Sequence, residues 1–152
     1  MIEKLLRSIR GTILNHGLIK TCLLYSKGRE EVIAPAIFLE IGSYSAGSDP
    51  ATGELSLTVN IEARVVIDSL TEDAEIKCQE LAAAIASAIH LNSFGCEVSP
   101  AKVTSISRDY FKPDFDPYVC YLIEWNHELH IGENIWSESG IPPHKITIGG
   151  PE

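Results

Sequence analysis

Leu55-Ser56-Leu57-Thr58-Val59-Asn60-Ile61-Glu62-Ala63-Arg64-Val65-Val66-Ile67-Asp68 is the stretch that decides the fold. Every odd position is apolar, and every even one except Val66 is polar or charged. Successive side chains of a strand point to opposite faces, so this alternation specifies a strand with one buried and one wet face. At about 3.3 Å per residue it would be roughly 45–50 Å long, well beyond a usual strand of about 5–6 residues. Such a strand should project past its own domain and leave backbone groups and apolar side chains for a neighbouring subunit to cover.

The strand runs straight into a helix. Ser69 or Thr71 is expected to cap it, and Glu72, Asp73 and Glu75 suit the positive end of the helix dipole. Ala74, Cys78, Leu81, Ala82, Ile85, Ala88, Ile89 and Asn92 then recur at three- and four-residue spacing, forming one stripe for packing. Ala82, Ala83, Ala84, Ala86 and Ala88 keep this helix thin, so it can lie close on a sheet.

Outward from this unit, Ile2, Leu5, Leu6, Ile9 and Ile13 make one face of an N-terminal helix that Gly17 ends. Ile19–Tyr25 reads as a first strand and Ala36–Ile41 as a second, with Pro35 marking a bend or an edge. Residues 42–53, rich in Gly, Ser, Asp and Pro, read as a mobile hairpin loop. Val98–Arg108 and Tyr118–Ile131 close the sheet, separated by an aromatic, acidic and proline-bearing loop over Asp109–Pro117. The expected class is α+β, a mostly antiparallel sheet with long strands and two main helices packed on one face. Residues 1–131 form its single domain, and the proline- and glycine-bearing residues 132–152 an extended C-terminal arm.

Charge narrows the partners. With 12 Lys and Arg against 21 Asp and Glu, the net charge is −9, which argues against binding a nucleic-acid backbone. No apolar run is long enough to span a bilayer, and Glu3, Lys4, Arg7 and Arg10 interrupt what a signal peptide would keep apolar. A cytoplasmic protein without a membrane partner is expected. Cys22, Cys78, Cys96 and Cys120 are widely spaced and read as reduced, mostly buried thiols.

Chemistry is sparse. His127-Glu128-Leu129-His130 superficially resembles the zinc-protease pair, but its histidines are three apart on an expected strand, so they point to opposite faces and read as exposed polar residues. The acidic pairs Glu30/Glu31 and Asp114/Asp116 read as solvated loop charges. There is no G-x-S-x-G elbow, no phosphate loop and no Cys with a His in a familiar signature. The reading is non-enzymatic, with no catalytic residue, metal or cofactor.

The element order, the run Leu57–Val66 leading into the alanine-rich helix, the closing Tyr121–Gly132 and the chain end around Gly140-Ile141-Pro142-Pro143 and Ile146–Gly149 resemble the tail terminators and tail-completion proteins of Mu-like and lambda-like phages and prophages. The resemblance implies a hexameric ring that caps the tail tube and joins it to the head. Its partners would be further copies of the chain, the tail tube protein and a head-completion protein, and its location the virion tail when the phage is active. A neck or baseplate component is the nearest alternative. A small-ligand or metal-binding bacterial α+β protein, or a regulatory binding module, are those of a different class. The expected contact residues are Tyr44 and Asp49 in the loop, Glu54, Thr58, Glu62 and Arg64 on the wet face of the long strand, and Trp136 in the arm. Trp136 anchors either its own subunit, the favoured reading, or a neighbour.

Overall fold

The computed structural model describes residues 1–24, 33–110 and 117–136. The turn at 27–31, residues 111–116 of the acidic loop and the arm from 137 onward lie outside the described residues. The elements are α1 (Ile2–Asn15), β1 (Thr21–Leu23), β2 (Ala36–Ala46), β3 (Leu55–Asp68), α2 (Ala74–Ile89), β4 (Lys102–Arg108) and β5 (Tyr118–Ile131). Five strands form one sheet in the order β1-β2-β3-β5-β4, with β1 parallel to β2 and the other neighbours antiparallel. The fold is α+β, as its alternating strands and striped helices require.

β3 and β5 are each 14 residues long and pair without interruption from Leu55–Ile131 to Asp68–Tyr118. The odd residues of β3 meet Ile123, Trp125 and Leu129 on the helix face, where Leu5, Ile9 and Ile13 of α1 and Cys78, Ala82, Ile85 and Ile89 of α2 complete the core. The opposite face is only partly wet. Ala36, Phe38, Val66 and Cys120 form a second, smaller buried cluster there, and that is why Val66 breaks the alternation.

Several boundaries differ from the sequence reading. β1 covers only Thr21–Leu23. β2 continues through Gly42 to Ala46 across a bulge between Ile41 and Ser43, so only 47–54 connects the hairpin. The weak apolar residues Tyr44 and Ala46 carry the period there, and serines between them disguise it as loop. β4 begins at Lys102, because Ser99 N–H and Ala101 N–H bond singly to the carbonyls of Glu128 and Asn92 rather than in a ladder. Neither Ser69 nor Thr71 caps α2. Asp68 closes the preceding turn instead, its carboxylate accepting from Leu70 N–H at 2.9 Å, and Asp73 precedes the helix at φ 54° without a capping side-chain bond.

The helices are too short to cover the strands. Leu55, which alternation assigns to the buried face, is 55% exposed, whereas Ile61 on that face is fully buried. Truncation should read this difference directly. Ile61→Ala is expected to cost about 2–5 kcal/mol in urea unfolding, the usual range for a buried aliphatic side chain, and Leu55→Ala within about 0.5 kcal/mol of zero, as for a surface position.

Candidate functional site

The uncovered end of the sheet is built from the β2–β3 hairpin, the end of β5 and the residues that follow it. Asp49 shapes the connection by accepting from Ala51 N–H at 2.8 Å, and Thr52 donates to the Glu54 carboxylate at 2.8 Å. Gly53 takes φ +82°, and a Cβ there would lie 2.9 Å from a methyl of Ile135. A side chain at 53 would therefore be strained by the backbone and crowd the segment lying over it.

That segment begins the expected arm, and residues 133–136 are not extended away from the body. Ile135 N–H donates to the Thr52 carbonyl at 2.8 Å, and the Trp136 indole N–H donates to the Ala51 carbonyl at 2.9 Å. Trp136 thus anchors on its own subunit. Its ring is nevertheless 71% exposed, beside Ile135 at 67%. With Leu55 and its ladder partner Ile131, these residues give the sheet end an apolar surface. Tyr44, half-exposed and paired with Val59, lies on the same helix face.

The other expected contact residues divide between the open face and the interior. Thr58 sits between Ser45 and Glu128 on the open face. Glu62 lies between Glu40 and Glu124, a row of like charges across three strands. Arg64 is not a wet-face residue. It is buried, donating to Glu40, to Glu62 at 3.0 Å and to Asp109 at 3.0 Å. Burial works against its charge, but the hydrogen bond to Asp109 and the carboxylates of Glu40 and Glu62 outweigh it and raise its pKa. The guanidinium cross-links β2, β3 and the residue after β4, so its role is internal.

His127 was expected at the surface and lies fully buried, whereas His130 on the other face is exposed. The ring's Nε2 accepts the Trp125 indole N–H at 3.1 Å, and Nδ1 lies 2.8 Å from the Ser99 carbonyl, to which it donates as the neutral Nδ1–H tautomer. Phe94 packs edge-on against it at 5.8 Å between ring centroids. The signal for this lay in the strand parity: Trp125, His127 and Leu129 share one face. Both ring nitrogens are committed, so the ring offers no lone pair to a metal. Among the described residues no group of three or more His, Cys, Asp and Glu is placed to hold a metal ion.

The four thiols are free. Burial pushes Cys22 and Cys78 up to about 11 and Cys120 up to about 12, which keeps them protonated and poorly nucleophilic at neutral pH.

Comparison with protein-family models finds no match, and comparison with curated proteins finds none either.

Burial lowers the His127 pKa below its ordinary value, against a smaller opposing effect of the Ser99 carbonyl. A histidine held neutral in the fold and free to charge when unfolded costs nothing above about pH 6.5, and destabilises progressively as pH falls below it. Between pH 7.5 and 5.5 the wild-type chain should lose more stability in urea unfolding than His127→Gln, since the unfolded state takes up a proton that the folded state resists. Equal pH dependence in the two proteins would exclude this role.

Proposed function

We propose that this chain is a structural assembly protein of a phage or prophage, a tail terminator whose ring caps the tail tube and meets the head. The observation that carries this reading is the 14-residue β3–β5 ladder projecting an apolar end of Leu55, Ile131, Ile135 and Trp136 beyond the helices. The element order that the resemblance implies, a helix, a long hairpin, a strand into a helix and two closing strands, agrees with the observed order apart from the brief β1. Both features favour a subunit that completes itself against others.

On this reading the protein is not an enzyme and takes no cofactor. Its partners are further copies of itself, the tube protein and a head-completion protein. It acts in the host cytoplasm and remains in the finished tail. Among the described residues no helix is long and apolar enough to cross a membrane. The acidic chain stays soluble before it meets the tube, because net charge opposes self-association.

The test is arrest of tube growth. Added to polymerising tail tube protein from the same phage, the chain should stop elongation at a few subunits per tube, with extra density at one end in negative stain. Tubes of unchanged length with bare ends would overturn the assignment.

A further inference from the structure

Among the described residues two strand edges of this sheet are unfilled, and they are complementary. β1 pairs with β2 only at Ala36, Ile37 and Phe38. Among the described residues nothing pairs with the outer edge of β2 from Leu39 to Ala46, nor with that of the seven-residue β4 at the other margin. Resting on the reading of an assembling subunit, we propose that β4 of one copy adds to the free edge of β2 in the next, so that the sheet continues from subunit to subunit.

The direction is right. β2 is antiparallel to β3, β3 to β5 and β5 to β4, so β4 runs opposite to β2. Two copies set side by side with their helices on the same face therefore present these strands to each other antiparallel.

The parity is also right. Gly47 N–H bonds inward to the Ser56 carbonyl, so by strand alternation the backbone groups of Tyr44 and Ala46 face outward. Asp109 N–H bonds inward to the Cys120 carbonyl, so those of Ile106 and Arg108 face outward. Tyr44 pairs with Val59 and Ile106 with Ile123, which places both side chains on the helix face. They are 50% and 42% exposed. Setting Ile106 opposite Tyr44 joins outward donors to outward acceptors and lets two half-exposed apolar side chains cover each other. It also avoids β1, whose partners end at Phe38.

Charge agrees. Arg108 is held by Glu75 at 3.0 Å and Glu40 by Arg64 within the subunit, so the charge that β4 offers a neighbour is Lys102. In the proposed register Lys102 arrives at the hairpin connection beside the exposed Asp49. The contact is heterologous, each copy using one edge as donor and the other as acceptor, and repeats until it closes.

Proline separates this contact from every other. At Ala46 or Ile106 it deletes an outward N–H and leaves the subunit's own ladder intact. Light scattering over a concentration series should show wild-type assemblies and, for Ala46→Pro and Ile106→Pro separately, at least a tenfold weakening. An equimolar mixture of the two variants should form heterodimers, since each retains the edge the other lacks. If either proline strand alters the circular dichroism, Lys102→Asp replaces it; it should weaken assembly, and Asp49→Lys in the same chain should restore it. Wild-type protein that stays monomeric at every concentration, a variant that assembles like wild type, or a mixture that remains monomeric would overturn the edge contact. Those outcomes are independent of tube arrest: a chain that caps tubes with inert edges keeps its function and loses this interface, and one that assembles but never arrests a tube does the reverse.

Discussion

The β3–β5 ladder is the constraint on which the rest of this structure depends. Fourteen residues of strand extend roughly 46 Å, whereas helices of 14 and 16 residues extend only about 21 and 24 Å. Two such helices cannot cover such a sheet along its length. The core therefore collects between Val59 and Ile67, where α1 and α2 lie, and the remainder of the same apolar face emerges half-covered from Leu57 to Leu55. The exposed end is a consequence of unequal lengths rather than of an unusual residue.

The back of the sheet answers a second demand. No helix of the described residues lies on that face, yet the strands still bury Phe38, Val66 and Cys120 near one end, and the transition from this apolar patch to the hydrophilic half falls at Arg64. Glu40, Glu62 and Asp109 surround a guanidinium that has lost much of its hydration. A buried cation with fewer partners would be costly, and three carboxylates so close without a cation would repel each other. The arrangement is coherent only as a unit. It ties the strand margins together without adding apolar surface.

Much of this was legible beforehand because period two is a strong signal wherever side chains differ sharply. β3 and β5 are written mainly in Val, Ile and Leu against Glu, Asn and Thr, and the stripe of α2 in Ala, Cys, Ile and Leu against Glu, Lys and Gln, and their places follow. Gly42–Ala46 was not legible as strand, since serine, tyrosine and alanine alternate too weakly to reveal a face. The cap of α2 is ambiguous in the sequence for a related reason: Asp68, Ser69 and Thr71 can all close a turn by side chain, and in the fold it is Asp68, at the end of β3, that does so. Burial of His127 and Arg64 required partners distant in sequence, Ser99 for one and Asp109 for the other. Parity names the face of a residue but not what covers it.

Edges so exposed need restraint, and the sequence supplies it at the same places. β2 bulges beside Gly42 and β4 bulges between Val103 and Ser105, and a bulge twists an edge away from a flat partner. Lys102 on the β4 margin discourages that edge from joining its own kind. A net charge of −9 adds a general repulsion between copies. At the meeting of unlike edges Lys102 instead approaches the acidic hairpin connection at Asp49, and the outward backbone groups of Tyr44 and Ile106 are in phase. Protection against indiscriminate pairing and selection of one pairing are thus the same set of residues seen from two partners.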